Sequence, residues 1–380
     1  MKLPNALQYK LEQREEENAL RQLTLPANGV DWVSNDYLGY ARNEALFHKT
    51  HAYLVAHEQL SNGATGSRLL SGNHPLYPAT EAAIAHFHHS EAALLFNSGY
   101  DANVGFFSSV PQRLDVILYD ELCHASIRDG IQMSKAKSYK YSHNDTAELE
   151  QQLKRYQVDQ IEMYVVTESV FSMDGDTPNI EQLVHLTQKY NAHLVVDEAH
   201  ALGVFGNKGE GLVQSLGLEQ SVFARIMTFG KGLGCHGAAV LGRRDLYAYL
   251  VNFARSFIYT TGLAPHSVAS ILIAYEELAQ EQLAFQRLQA NILFFNQEKL
   301  RLGLKPLFVY SKSAIQSAII PGNETVKNIA TQLQHDGYEV KAILSPTVPA
   351  GQERLRFCLH SYNTQIEIQH VLERLATLVF

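Results

Sequence analysis

Short apolar runs alternate with longer stretches of helical spacing along most of this chain, and this alternation constrains the fold more than any other feature of the sequence. The runs cover residues 92–96, 116–119, 163–167, 193–196, 225–229 and 238–241. Strands that are joined through helices run parallel and have both faces covered. We therefore predict an α/β protein with a mainly parallel sheet and a ligand site at the carboxyl ends of its strands.

Composition narrows the class of protein. The chain of 380 residues is long enough for more than one domain, and its formal charge of −8 argues against nucleic acid as a partner. Cys123, Cys235 and Cys358 are far apart, so no disulfide framework or zinc site is indicated. No apolar run reaches the length of a membrane span, and we expect a protein of the reducing cytoplasm with no membrane partner.

Three histidines lie in a stretch, residues 78–95, whose spacing predicts a helix. His86 and His89 form an i, i+3 pair, with His88 between them. No cysteine, aspartate or second histidine cluster completes a metal site. We expect all three histidines on the helix surface and no bound metal.

The segment TFGKGLG, residues 228–234, places one lysine between glycines directly after an apolar run. Burial in such a tight turn lowers the pKa of a lysine amine, and a neutral amine is what Schiff-base chemistry with an aldehyde cofactor requires. A solvated turn lysine is the alternative interpretation of Lys231.

Further polar clusters follow the other runs, at residues 97–103, 120–126, 168–176 and 197–200. Asp197 could keep a pyridine nitrogen protonated, His124 could stack on the ring, and His200 could donate to a phenolate oxygen. The hydroxyl groups of Ser172 and Thr228 could hold that oxygen or a phosphate. In the first cluster, Ser-Gly between a strand and a helix suits either phosphate binding or a plain helix cap.

Two of these segments match unrelated motifs. Residues 197–200 spell DEAH, but the Gly-Lys pair at 230–231 does not fit the phosphate loop of an ATPase, because position 225 is arginine and position 232 is glycine. Residues 232–237 spell GxGxxG, yet the run that follows has the pattern of a strand and not of the required helix.

Together these motifs resemble the α-oxoamine synthase family of fold-type I pyridoxal-phosphate enzymes. The matching segments are SNDYLG (34–39), SGYDAN (98–103), HAS (124–126), ESVFSMDGD (168–176), DEAH (197–200), TFGKG (228–232), FIYTTGL (257–263) and RLRF (354–357). The resemblance implies that Lys231 forms the Schiff base with pyridoxal 5'-phosphate, Asp197 partners the ring nitrogen and His124 stacks on the ring. It also implies that Ser172 and His200 lie near the ring oxygen.

The same resemblance implies a homodimer with shared active sites. Thr260 or Thr261 of one subunit would reach the cofactor phosphate bound by the other. Asn35 and Arg356 would hold the amino-acid carboxylate, for which a planar guanidinium is well suited. The remaining phosphate contacts are expected at the helix start and in the lysine turn, namely at Ser98, Gly99, Tyr100 and Thr228.

The implied reaction is decarboxylative condensation of an amino acid with an acyl-CoA or acyl-ACP. Arg21, near the end of a helix expected over residues 3–23, matches the arginine of members that use L-alanine and a pimeloyl thioester. Tyr77 replaces a usual histidine, and the connection before Trp32 is shorter than usual. Glycine C-acetyltransferase, serine palmitoyltransferase and autoinducer-type synthase activities stay open, as do an aminotransferase and a noncatalytic dimer partner.

The resemblance and the change of pattern after residue 285 predict three parts. These are an N-terminal helix and arm (1–45), a large cofactor-binding domain (46–285) and a small C-terminal α+β domain (286–380) that carries Arg356. Closure of the small domain would exclude water from the site.

Overall fold

A mainly parallel sheet forms the centre of the computed structural model, which describes residues 3–17, 19–21, 23, 28–158 and 160–380. Across this seven-stranded sheet of the described chain lie β2 (Ala92–Phe96), β8 (Ala238–Gly242), β7 (Ala224–Thr228), β6 (His193–Asp197), β5 (Met163–Glu168), β3 (Val116–Asp120) and β4 (Lys137–Tyr141). Strands β3 to β7 pair in parallel, whereas β8 is antiparallel to both of its neighbours. The predicted α/β architecture is confirmed.

Helices cover both faces of this sheet. They are α3 (Leu76–Phe87), α4 (Gly99–Ser109), α5 (Ala125–Met133), α6 (Thr146–Tyr156), α7 (Ile180–Lys189), α8 (Leu212–Ser215), α9 (Arg244–Phe253), α10 (Arg255–Ile258) and α11 (Pro265–Gln280). Successive strand residues enter different apolar clusters: Val195 packs on the side of α4 and α5, and Val196 on the side of α6 and α7. This two-sided burial explains why the strands appear in the sequence as unbroken apolar runs.

A smaller antiparallel sheet lies in the C-terminal part of the chain. It has the order β11 (Lys341–Ile343), β12 (Arg354–Cys358) and β9 (Ile315–Ile319), and it packs with α12 (Leu283–Arg301), α13 (Asn323–His335) and α14 (Gln365–Val379). A 3-10 turn spans Lys305–Leu307. Residues on both sides of position 285 share one apolar cluster, and the predicted domain limits stay a prediction.

The N-terminal part contains α1 (Asn5–Glu16), β1 (Val30–Asp31), a 3-10 turn at Tyr40–Arg42 and α2 (Glu44–Ala56). Strand β1 pairs in parallel with β10 (Tyr338–Glu339), which joins this part to the C-terminal one. Within the described residues, the structure contains no helix with the length and apolar character needed to cross a membrane.

Three sequence predictions need correction. The N-terminal helix ends at Glu16 and does not reach residue 23, and residues 18 and 22 of that prediction lie outside the described chain. The helix predicted over 78–95 ends at Phe87, because the chain turns through His89 with a φ of 49° before β2 begins. His88 is fully buried and not on the surface, since this turn places its Nε2 atom 2.9 Å from the hydroxyl of Tyr275.

A partly buried ion triad joins the end of β3 to the loops that follow β4 and β5. His143 Nδ1 lies 2.9 Å from Asp120 Oδ1, and its Nε2 lies 2.8 Å from Asp176 Oδ2. Burial alone would lower the pKa of His143, but the hydrogen bonds with the two carboxylates outweigh it and raise the pKa to about 10. The imidazolium is therefore the charged form at neutral pH.

We predict that His143→Gln lowers the free energy of unfolding by about 3 kcal/mol at pH 7, because two buried carboxylates lose their cation. The folded-state pKa lies above the ordinary value of 6.5, so this stabilisation is complete below pH 6.5 and is lost as the pH rises towards about 10. Denaturant unfolding between pH 6 and pH 10 measures it. The free energy of unfolding of His143→Gln should lack the decrease that His143 causes between pH 6.5 and pH 10. The surface variant His185→Gln should show this decrease as the wild-type protein does. An unchanged pH dependence in His143→Gln would contradict the assignment.

Candidate active site

The carboxyl ends of β5, β6 and β7 bring together the polar segments that the sequence separates widely. Glu168 and Asp197 are directly paired positions of neighbouring parallel strands, and Thr228 ends the next strand. Side chains at paired positions of neighbouring strands point to the same face. The polar segments therefore lie at the carboxyl ends of the parallel strands, where the sequence predicted them.

Lys231 lies on the connection between β7 and β8, and the backbone of this connection is well fixed. Phe229 N donates to Gly237 O at 2.9 Å, and Cys235 N donates to Phe229 O at 2.8 Å. A Cβ atom at Gly232 would overlap the carbonyl oxygen of Leu202, so glycine is required beside the lysine. The turn therefore packs tightly against the segment that follows β6.

The Lys231 amine points into the site and lies 2.8 Å from His200 Nε2. Burial lowers the pKa of this amine to about 8, although the charges of Asp197 and Glu168 oppose the shift. At neutral pH a useful fraction of the amine is thus free of its proton, as attack on an aldehyde requires.

A chain of hydrogen bonds leads away from His200. Its Nδ1 atom lies 2.6 Å from the hydroxyl of Tyr37, which donates to Asn35 Oδ1 at 3.1 Å. Arg356 Nη2 donates to the same Asn35 oxygen at 3.0 Å, and Arg356 Nε donates to the backbone oxygen of Ser172 at 2.7 Å. The lysine amine and a guanidinium are thereby linked through three intervening side chains.

A second set of contacts holds Asp197. Its Oδ2 accepts from Asn103 Nδ2 at 2.8 Å, and its Oδ1 accepts from Ala199 N at 2.9 Å. Asn103 also donates to Ser126 Oγ at 3.0 Å, and that hydroxyl lies 2.7 Å from His124 Nδ1. The acid at the end of β6 and the imidazole at the start of α5 are therefore positioned by one buried amide.

Glu168 is a second buried acid beneath the same site. Its Oε1 accepts from His124 N at 2.6 Å. Burial, with the nearby charge of Asp197, raises the pKa of Glu168 to about 8. The neutral acid is therefore the favoured form of Glu168 at pH 7.

The start of α4 provides a place for an anion. The Ser98 side chain accepts from Asp101 N at 3.0 Å, while the amides of Gly99 and Tyr100 precede the first helical hydrogen bond, from Ala102 N to Ser98 O. A Cβ atom at Gly99 would overlap Thr228 Oγ1, so only glycine lets β7 end against this helix terminus. Helix N-termini favour negative charge.

The other predicted residues lie outside these contacts. Asn97 Nδ2 donates to Thr260 Oγ1 at 3.1 Å and to Thr261 O at 2.7 Å within the same chain. The Tyr100 side chain is 50% exposed, and its hydroxyl donates to Asp129. Arg21 is exposed, and no contact among the described residues joins it to Lys231.

Four side chains of the site had no predicted role, although each belongs to a segment that the sequence analysis named. They are Tyr37, Asn103, Ser126 and Glu168. Buried polar groups need partners, but these segments are polar along their length and no local pattern distinguished these four residues from their neighbours. Their partners were not visible, because they lie far away along the chain.

Comparison with known proteins gives consistent matches over nearly the whole chain. Residues 27–375 match the family model described as aminotransferase class I and II. The chain is 42% identical to an 8-amino-7-oxononanoate synthase of Emericella nidulans, with 99% of this chain and 95% of that protein covered. It is 40% identical to a putative 8-amino-7-oxononanoate synthase of Geobacillus kaustophilus, with 97% and 95% covered.

Two solved structures extend this likeness to three dimensions. A serine palmitoyltransferase from S. paucimobilis, bound to a pyridoxal-phosphate–myriocin aldimine, matches with a TM-score of 0.88 at 25% identity, with 98% of this chain and 96% of that chain covered. An 8-amino-7-oxononanoate synthase from Francisella tularensis matches with a TM-score of 0.78 at 30% identity, with 92% and 98% covered.

We predict that the Lys231 amine of the cofactor-free protein titrates near pH 8, about two units below an exposed lysine, because burial disfavours its ammonium form. The measurement is the 13C shift of reductively methylated lysines as a function of pH. The signal missing from Lys231→Gln identifies the residue, and the signal missing from Lys208→Gln identifies an exposed reference lysine. A midpoint above pH 10 for Lys231 would refute the prediction.

Proposed function

The chain belongs to the class I and II aminotransferase family, and on this premise we propose that it condenses L-alanine with a pimeloyl thioester to give 8-amino-7-oxononanoate. Carbon dioxide and the free thiol are the other products, which makes the protein an acyltransferase of biotin biosynthesis. The proposal rests on the hydrogen-bonded path from Lys231 to Arg356. This path places an amine that can form a Schiff base and a guanidinium that can bind a carboxylate in the same site, as a reaction of an amino acid requires. The names of the relatives support the choice of substrates.

The residues at the strand ends fit pyridoxal 5'-phosphate, the cofactor of this family. Lys231 offers a buried amine to an aldehyde, Asp197 offers a charged acid to a ring nitrogen, and the glycine at position 99 leaves room for an anion beside Thr228. When bound, the cofactor supplies an electron-poor ring that takes up the electron pair left at the amino-acid α-carbon. The fold is that of the fold-type I transferases.

We assign the following roles around that cofactor. Asp197 holds a proton at the ring nitrogen and is itself oriented by Asn103. His124 covers the ring, and Ser172 and His200 serve the ring oxygen. The phosphate is held by Ser98, Gly99, Tyr100 and Thr228, with Thr260 or Thr261 contributed by a second subunit.

Asn35 and Arg356 bind the carboxylate of the amino acid in this proposal. Arg356 is fixed through Nε by the Ser172 carbonyl, through Nη2 by Asn35 and through Nη1 by Cys358 Sγ, and each Nη atom carries a second hydrogen that can meet a ligand. Lys231 then acts as the general base that takes the α-proton, and its pKa of about 8 suits that task near neutral pH.

We propose that Arg21 meets the far carboxylate of the pimeloyl group, whether it arrives on CoA or on a carrier protein. Serine palmitoyltransferase activity is the second candidate, because solved structures of that enzyme superpose with TM-scores up to 0.89. The two activities differ in both the amino acid and the chain, so one assay separates them.

We further propose a cytoplasmic homodimer with shared sites. Helix α1 has no buried residue among those described and exposes Leu7 and Leu11 on neighbouring turns, and Leu3 just before the helix is exposed as well. Leucines at i, i+4 spacing on an exposed helix are suited to contact with a second copy. Cys123, Cys235 and Cys358 are free thiols, as expected for a reducing compartment.

We predict release of free thiol and carbon dioxide from L-alanine with pimeloyl-CoA by the cofactor-loaded protein. Thiol capture and trapping of labelled carbon dioxide measure both products. Lys231→Ala should lose turnover by at least about 10³-fold, since the covalent amine and the base disappear together. The exposed control Lys208→Ala should retain it. Activity with L-serine and palmitoyl-CoA alone would move the assignment to the second candidate, and an active Lys231→Ala protein would refute the site.

We predict that Arg356→Lys raises the KM for the amino acid by about 10- to 100-fold, because a point charge replaces a planar fork that meets both carboxylate oxygens. Steady-state kinetics at saturating thioester gives this value. The KM for the thioester should change by less than threefold, which is the internal control. Equal changes in both constants would argue that Arg356 supports the fold and not the carboxylate.

A further inference from the structure

The hydrogen bonds between Lys231 and Arg356 have a direction that can be worked out from donor chemistry. Three side chains connect the two cations, and the contacts measure 2.8 Å from Lys231 Nζ to His200 Nε2 and 2.6 Å from His200 Nδ1 to the Tyr37 hydroxyl. The path continues at 3.1 Å to Asn35 Oδ1, which also accepts from Arg356 at 3.0 Å. Tyr37 lies in the middle and has no exposed surface.

The proton of the Tyr37 hydroxyl belongs on the side of Asn35. A guanidinium only donates, so the Asn35 atom that faces Arg356 is its carbonyl oxygen. That oxygen cannot donate to Tyr37, and two oxygens 3.1 Å apart repel unless a proton lies between them. Tyr37 therefore donates to Asn35, and its own oxygen is left as an acceptor.

This direction fixes the tautomer of His200. Since the Tyr37 oxygen accepts at 2.6 Å, the hydrogen must come from His200 Nδ1. Burial and the charge of Lys231 lower the pKa of His200 well below its usual value, so the ring carries one proton. Nε2 is then unprotonated and accepts a hydrogen from the Lys231 amine at 2.8 Å.

We propose that in the cofactor-free protein Tyr37 is a positioning residue that holds His200 as its Nδ1–H tautomer and so couples the carboxylate-binding pair, Asn35 and Arg356, to the Lys231 amine. The tautomer is a property of the chain itself, and only the kinetic consequence rests on the proposed function. Without the hydroxyl, His200 Nδ1 loses its acceptor, and the ring proton can move to Nε2, opposite Lys231. Asn35 also loses one of the donors to its carbonyl oxygen, and Arg356 and Cys358 Sγ remain.

Nitrogen NMR of the cofactor-free protein, labelled with 15N in its histidine rings, tests the tautomer directly. The His200 signals are identified by their absence from His200→Gln. We expect the wild-type protein to show a protonated Nδ1 and an unprotonated Nε2, and Tyr37→Phe to show proton density at Nε2. The matched control is Tyr40→Phe: Tyr40 is also buried, and within the described chain it makes no hydrogen bond with these five side chains. It should keep the wild-type pattern.

Kinetics supply the second measurement. Tyr37→Phe should raise the KM for the amino acid by about five- to tenfold, the size of one neutral hydrogen bond, with a smaller change in the KM for the thioester. Tyr40→Phe should alter neither constant by more than about twofold.

The outcomes separate this inference from the proposed function. A wild-type His200 with its proton on Nε2 overturns the inference, even if the protein makes 8-amino-7-oxononanoate and even if Tyr37→Phe does not fold. An unchanged tautomer in a folded Tyr37→Phe protein overturns it as well. The expected tautomers in a protein that is inactive with every amino acid and thioester would uphold the inference and refute the proposed function.

Discussion

The amine of Lys231 and the carboxyl groups of Glu168 and Asp197 are buried together at the carboxyl ends of the central strands. The need to stabilise these three groups away from water determines the rest of the site. Isolated buried charges are too costly to keep, so each group must be hydrogen-bonded, paired or neutral. Asp197 accepts two hydrogen bonds, whereas burial raises the pKa of Glu168 to about 8 and lowers the pKa of Lys231 to about 8. The arrangement thus gathers two acids and a reactive amine where β5, β6 and β7 end.

The loop after β5 connects the site to the C-terminal sheet through side-chain contacts. Arg354 and Arg356 point to the same side of β12, because they are two residues apart in a strand. Arg354 pairs with Asp174, and Arg356 binds the Ser172 carbonyl, so the loop runs along the strand and fixes both guanidinium groups. An added bond from Ser317 Oγ to Met173 O, at 2.6 Å, holds the segment between them.

The sequence was most informative where an apolar run ends in a polar cluster, because this pattern indicates both a strand and a possible functional residue at its end. Every predicted strand of the central sheet was found. Glu168, Asp197 and Thr228 meet at the carboxyl ends of β5, β6 and β7, because parallel strands place these ends together, whereas the antiparallel β8 ends on the opposite side. The edge strand β4 was missed, since its exposed lysines interrupt the apolar pattern. Burial of His88 was missed because its partner, Tyr275, is 187 residues away.

The partners of the candidate site residues were beyond the reach of sequence patterns for the same reason. Asn103 meets Asp197 across 94 positions, and Tyr37 meets His200 across 163. Local spacing cannot encode such pairs, whereas a resemblance points to the residues without giving their geometry. The roles of Arg21, Thr260 and Thr261 depend on substrate and on a second subunit, so they stay predictions.

The short pairing between β1 and β10 has a mechanical consequence. Trp32 N donates to Glu339 O and Cys358 N donates to Trp32 O, so the segment that leads to Asn35 is hydrogen-bonded to the strands around Arg356 and not to the lysine turn. Asn35 and Arg356 would thus move together as one unit. In the proposed complex, the distance from this pair to Lys231 would have to match the distance from the carboxylate to the α-carbon of the amino acid. That distance is the same in alanine, glycine and serine, so the choice among them must be made by whatever surrounds the side chain.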